Sequence, residues 1–197
     1  MSGPEDVLFS SAVKAEQARL GSRPAFEGRD FKSEITDDLR QFLAAIDTFF
    51  LATASADGRP YVQHRGGPPG FLKPIGTHTL AFADFAGNRQ YITLGHLKEN
   101  DRAHIFILHF ATQQRVKLWG RARVIEGDLE LMERLVDPAY KARPERAIVF
   151  TLEAWDVNCR QHIVPRYSEA EIAPAVDRLA RRIRELEEEV ARLKGAP

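Results

Sequence analysis

Between Phe49 and Trp155 apolar positions recur mostly with the period of two expected of β-strands, and outside that span they recur every three or four residues. The apolar run Phe49 to Thr53 and the alternating run Tyr61 to Arg65 flank Asp57-Gly58, a tight-turn dipeptide, so the pair predicts a β-hairpin. Further strands are predicted at Gly70 to Ile75, Thr79 to Asp84, Ala103 to Phe110, Arg115 to Ile125 and Ala147 to Trp155. With no long helix between most of them, the order should be antiparallel, and about seven strands suffice for a meander or a closed barrel. The two long Ile-, Phe-, Val- and Leu-rich segments, at 103–110 and 115–125, should be central. Glu5 to Leu20 predicts a modest amphipathic helix ended by Gly21, and Arg23 to Lys32 a loop. Thr36 is a suitable N-cap for a helix carrying Asp37 and Asp38 in its first turn and Leu39, Phe42, Leu43 and Ile46 on one face. A short helix is expected near Tyr91 to Leu94, and another over Leu129 to Leu135 that stops at Asp137-Pro138.

The tail has a different rhythm. Ile172, Val176, Leu179, Ile183, Leu186, Val190 and Leu193 are spaced alternately four and three apart, which is the seam of a coiled coil. With Val176, Ile183 and Val190 at a, the leucines 179, 186 and 193 fall at d, an arrangement that favours two parallel strands. Two readings stay open: the seam pairs between subunits, or the helix lays a narrow stripe on its own barrel.

Composition changes little in this picture. The 197 residues are 44% hydrophobic, enough for one domain with a sizeable core and helical extensions. The 28 acidic and 28 basic residues cancel, so no global field draws the chain to nucleic acid or to an anionic membrane. No apolar run is long enough to span a bilayer, and the N-terminus lacks the basic and apolar stretches of a signal peptide, so a cytoplasmic location is the expectation. One cysteine, Cys159, can form neither an internal disulfide nor a zinc cluster. The six histidines show no metal-binding spacing, so no metal is expected. Hydrolase elbows, P-loops and Rossmann fingerprints are also missing, so an enzymatic function would rest on a cofactor.

Two donor-rich corners carry the candidate chemistry. The strand ending Gln63-His64-Arg65 puts Gln63 and Arg65 on one side and His64 on the other, and Gly66-Gly67 leaves room for a ligand to approach the backbone. A second strand, 79–84, runs into Gly87-Asn88-Arg89, a turn whose amides and guanidinium suit an anion. Together they suggest a ligand that bears phosphate. In these motifs, Q-H-R-G-G-P-P-G-F followed by A-F-A-D-F-A-G-N-R, the chain resembles the pyridoxamine-phosphate-oxidase-like family of FMN-binding split barrels. The resemblance runs from about Asp37 to Arg166 and includes the strand R-V-K-L-W-G-R-A beginning at Arg115.

The resemblance implies a mainly β fold with flanking helices, an FMN-binding split β-barrel, followed by the C-terminal heptad-repeat helix. It divides the chain into a helical extension over 1–35, a flavin-binding barrel over 36–167 and the helix over 168–197. It implies that Gln63, His64 and Arg65 line the ring and ribityl chain of FMN, that Phe82 and Ala83 offer backbone groups to the ring, and that Asn88 and Arg89 hold the phosphate. Arg115 and Lys117 would approach from the same or a partner subunit, or else form a charged outer face. His162 and Arg166 belong to a polar cluster that is similar to the family's C-terminal segment, which often reaches a flavin across a homodimer. The chain departs from pyridoxamine-phosphate oxidase proper, which has R-x-V-L-L-K where Q-H-R-G-G stands here, so action on vitamin B6 is not expected. The expected function is a flavoprotein oxidoreductase acting on a small substrate, with NAD(P)H as a possible donor. The alternatives are a non-catalytic flavin- or haem-related binding or sensing protein, a deazaflavin-dependent reductase, and a structural dimer without a ligand.

Overall fold

The computed structural model describes residues 3–195, which form two compact units, 3–109 with 114–160 and 110–113 with 161–195. The first unit holds one antiparallel sheet built from β1 (Thr48–Ala54), β2 (Pro60–Gly66), β3 (Lys73–Pro74), β4 (Thr79–Phe85), β5 (Arg102–His109), β6 (Gln114–Ile125) and β7 (Pro144–Asn158). Its strand order is β2-β1-β5-β6-β7-β4-β3, so β5 and β6 are central, as their apolar content predicts. Neighbours in sequence pair within three groups, β1 with β2, β3 with β4, and β5 through β7, while β1–β5 and β4–β7 join the groups over long separations.

The sheet curls into the expected split barrel. Phe49 on β1 and Phe82 on β4 stand four places apart in the strand order, a separation of roughly 19 Å in a flat sheet. Their rings nevertheless meet edge-to-face at 5.1 Å, and Phe71 stacks on Phe49 at 5.2 Å. Around these rings Leu51, Leu80, Ile105, Ile107, Leu118 and Phe150 are fully buried. Each such side chain contributes about 1.5–3 kcal/mol by leaving water. A bulge shapes the β6–β7 wall: the register shifts between Trp119 and Gly120, and a Cβ on Gly120 would lie 2.0 Å from the carbonyl oxygen of Thr151. Only glycine fits there.

Helices cover the barrel where their apolar faces predict. In α3 (Asp37–Ala44) the Thr36 hydroxyl accepts from the Leu39 amide, and Leu39 and Leu43 are buried. The expected first helix is instead two, α1 (Pro4–Leu8) and α2 (Ser11–Arg19), because Ser10 is extended and its hydroxyl caps α2 through the Val13 amide. The expected strand 70–75 shrinks to the two residues of β3, since Gly70 adopts a left-handed φ of 78° and the Phe71 amide closes a turn onto Pro68. In contrast, α4 (Ile92–Glu99) and β7 are longer than the pattern implies, whereas α5 (Leu129–Leu135) coincides with it.

In the second unit, Gln113 donates to the Ile163 carbonyl at 2.6 Å and the Arg166 guanidinium lies 4.7 Å from the centre of the Phe110 ring. Its main element is α6 (Glu169–Lys194), opened by a capping box in which the Ser168 hydroxyl accepts from the Glu171 amide and the Glu171 carboxylate accepts from the Ser168 amide.

Candidate functional site

Alternation along β2 sorts its three polar side chains. Gln63 and Arg65 turn toward the barrel interior, whereas His64 lies on the outer face with its Nε2 2.6 Å from the Thr48 hydroxyl. Gln63 is held by α4, because the Thr93 hydroxyl, itself buried, donates to its Oε1 at 2.9 Å. Arg65 pairs through Nη1 with the buried carboxylate of Asp84 on β4 and lies over Phe82 at 5.8 Å. That ion pair bridges β2 and β4 across the open seam of the barrel. Gly67, expected to make room for a ligand, has another reason: a Cβ there would sit 2.6 Å from the Phe71 ring, so the glycine lets Phe71 enter the core.

The second corner closes on the same place. The β4–β7 register puts Arg146 opposite Asp84, and the Arg146 guanidinium approaches the second Asp84 oxygen at 3.5 Å and Glu145 at 3.1 Å. Asp84 thus sits between two arginines, with side-chain exposures of 9% for the acid and 13% for each base. After β4 the loop is tightly wound. The Gln90 amide donates to Asn88 Oδ1 at 3.1 Å, and Arg89 and Tyr91 both take left-handed φ values, 59° and 56°. Such backbone costs roughly 1–2 kcal/mol per non-glycine residue and concentrates at functional sites. Tyr91 ends the loop as the N-cap of α4, with the Arg146 guanidinium 5.6 Å from the centre of its ring.

Gln63, Arg65, Asn88 and Arg89 therefore line one cleft, together with Asp84, Tyr91, Thr93, Glu145 and Arg146. Its chemistry suits an anion. The amides in the first turn of a helix have no intrahelical acceptor, and here the first turn of α4 lines the cleft. The Arg65 and Arg146 Nε atoms are buried without a hydrogen-bond acceptor, and the 3.3 Å approach of exposed Glu126 to Arg146 Nε is not aligned as a hydrogen bond. The cavity itself is about 50 Å³, room for an anionic head group and far below the roughly 300–1,000 Å³ of a pocket that encloses a whole small molecule.

Arg146, Asp84 and Tyr91 are absent from the residues singled out in the sequence. Arg146 falls just before the predicted strand 147–155, and only the β4–β7 register carries it to Asp84. The phenyl ring of Phe82 and the methyl of Ala83 are buried in the barrel wall. The strand β3 pairs only with Leu80 and Ala81, so from Phe82 onward that edge of β4 has no strand neighbour among the described residues.

Arg115 and Lys117 lie elsewhere in the chain. Lys117, Phe106, Phe50 and His64 are successive cross-strand partners on the outer face, opposite the face that carries Arg65. Lys117 lies 5.1 Å from the centre of the Trp119 ring and 3.7 Å from Asp156. Beside it the His104 ring meets Trp119 edge-on at 4.9 Å, and burial, reinforced by the Lys117 charge, pushes the His104 pKa down to about 4. Arg115 donates to the Cys159 carbonyl at 2.8 Å. His162 and Arg166 belong to the second unit, where His162 has a left-handed φ of 62°. Among the described residues no group of three or more His, Cys, Asp or Glu side chains could hold a metal, and no helix is long and apolar enough to cross a membrane.

Residues 35–164 match the family model described as pyridoxamine 5'-phosphate oxidase. Among solved structures, HupZ from Group A Streptococcus is 13% identical, with 68% of this chain and 99% of that chain covered and a TM-score of 0.51. A putative pyridoxamine 5'-phosphate oxidase from Lactobacillus delbrueckii is 17% identical, covering 64% of this chain and 95% of its own, with a TM-score of 0.48. Among curated proteins none matches. The family match extends from the residue before the α3 cap through all seven strands, and the fold and the two sequence motifs agree with it: the chain belongs to the pyridoxamine 5'-phosphate oxidase family.

Proposed function

We propose that this protein is an FMN-binding flavoprotein that acts as a homodimeric oxidoreductase on a small molecule other than vitamin B6. The observation that carries the reading is the cleft between β2, β4, β7 and α4, where the Arg65 and Arg146 Nε donors lie buried without an acceptor beside Arg89. A phosphate dianion offers acceptor oxygens for such donors, and planar guanidinium groups bind it in a bidentate manner. Bound FMN supplies the hydride or electron transfer that no side chain here performs.

The residues of this chain bind and orient. Arg65, Arg89 and the first-turn amides of α4 hold the phosphate, and Asn88 shapes the loop by accepting from the Gln90 amide. Gln63, fixed by Thr93, presents its carboxamide along the ring side, and the edge of β4 at Phe82 and Ala83 presents backbone groups. Because the cleft of about 50 Å³ takes only the head group, the ring lies on the adjoining surface and a second copy completes its enclosure. In this reading Arg115 and Lys117, on the opposite face of the sheet, serve the site of the second copy.

The visible absorption spectrum of the purified protein, followed by chromatography of what heat denaturation releases, tests the proposal. A yellow protein that yields FMN supports it, and a colourless protein that takes up no added FMN sinks it. Arg65→Ala and Arg89→Ala should each weaken FMN binding about 10- to 100-fold, the loss expected for one charge-assisted hydrogen-bonding group, while circular dichroism stays unchanged. Reduction of the bound flavin by NAD(P)H and reoxidation by an acceptor would separate an enzyme from a binding protein.

A further inference from the structure

The last helix presents an apolar seam that its own unit leaves uncovered. Over the 26 residues of α6, Ile172, Val176, Leu179, Ile183, Leu186, Val190 and Leu193 are all exposed, from 42% at Leu186 to 68% at Leu193. An isolated leucine on a surface needs no explanation, but seven aliphatic side chains in one line do. The helix is also built to start firmly: it has the Ser168–Glu171 capping box, Glu169 and Glu171 in its first turn, and Arg192 and Lys194 in its last. Pro174 lacks an amide proton and weakens the turn around Ile172, so the strongest part of the seam runs from Val176 to Leu193.

We infer that this seam is covered by the same helix of a second copy, in a parallel, in-register, two-stranded coiled coil. Charge selects the occupant and its direction. In a parallel pair each g residue faces the e residue five positions later on the partner, which sets Arg182 against Glu187 and Glu189 against Lys194, each twice by symmetry. Both of these contacts join opposite charges. In an antiparallel pair g faces g, which leaves only Arg182 against Glu189, while Glu187 faces the uncharged Ala180. Val, Ile and Val at a with Leu at the three following d positions select the same parallel, two-stranded state. Within one chain Arg182 instead reaches Glu185 at 3.1 Å. Both partners of that ion pair are more than 60% exposed, so it holds Arg182 weakly and releases it to a better acceptor. A parallel coil lies along a two-fold axis and so suits a symmetric dimer, independently of any ligand bound by the barrel.

Disulfide trapping in the full chain tests this, in a Cys159→Ser background so that only the introduced thiol reacts. Val190→Cys, at an a position, should cross-link to its twin under mild oxidation at least ten times faster than Glu188→Cys, at an f position on the outside of the coil. Equal rates would overturn the proposal, because they would mean that the tails meet only by chance collision. Glu189→Lys should slow the Val190→Cys reaction several-fold, and adding Lys194→Glu should restore it. Rescue by Arg182→Glu instead would show antiparallel strands and would equally overturn the inference. All these positions except Val190 and the exposed Cys159 are exposed charges off the seam, so folding of the chain is not at stake.

Discussion

The barrel core and α6 are made of the same residue types and treat them in opposite ways. Leu51, Ile105 and Leu118 are inaccessible to solvent, whereas Leu186, Ile183 and Leu193 are 42%, 56% and 68% exposed. Strands that alternate can bury one face by curling onto one another within a single chain. The heptad seam of α6 stays exposed in the single chain, and a helix with the same repeat can cover it. Apolar periodicity thus says how a surface will be buried, and the number of complementary surfaces within the chain says by whom.

Substitutions should separate these regions by size of effect. Phe82→Ala removes a ring that contacts Phe49 and Phe71, and should destabilise the barrel by about 3–5 kcal/mol in urea unfolding. A loss below about 1 kcal/mol would mean that the barrel is not closed around this ring.

Next in size, Asp84→Asn strips the carboxylate from between Arg65 and Arg146 and should cost about 3 kcal/mol, because two nearly buried guanidinium groups lose their counter-charge. The same variant should be stabilised by added phosphate more than the parent is, which thermal melts in phosphate and in chloride at equal ionic strength would read. Equal responses would argue against an anion site at this corner.

A smaller effect follows pH. With the folded His104 pKa lowered to about 4 from an ordinary value of 6.5, the unfolded chain binds its proton first as pH falls. Stability is then full above about pH 6.5 and declines between about 6.5 and 4, by roughly 1–3 kcal/mol when discounted for the partial exposure of the ring. Replacing His104 with Phe should flatten the dependence of the urea midpoint between pH 7 and pH 5, and an unchanged slope would assign it to other groups. Smallest of all, Leu186→Ala should leave the barrel's unfolding transition within about 0.5 kcal/mol, because its side chain is exposed in the single chain.

Local signals suffice where an element does not depend on distant partners. Thr36 caps α3 as its side chain predicts, α5 begins and ends where the periodicity does, and the heptad of α6 is continuous with its helix. Residue type alone says less about turns and about close packing a few residues along. Gly67 predicts space for a ligand, but the Phe71 ring four residues on fills it, and the expected strand 70–75 gives way to a turn at Gly70. The candidate site was half legible: Gln63, Arg65, Asn88 and Arg89 do share one cleft, but nothing near Arg146 in the sequence marks it as the third arginine there.

Period, capping chemistry and turn dipeptides act over a few residues, so the chain alone specified seven strands, their antiparallel character, the family motifs and the seam of the tail. Strand order and barrel closure rest on long-range pairings, and the meeting of Arg65, Asp84 and Arg146 on contacts 19 and 62 positions apart, which form only when the whole sheet curls and its registers lock. The same distance dependence explains why Lys117 and Arg65, both cations of one sheet, lie on opposite faces: each strand has two sides, and the pairing register across β1 and β5 chose between them.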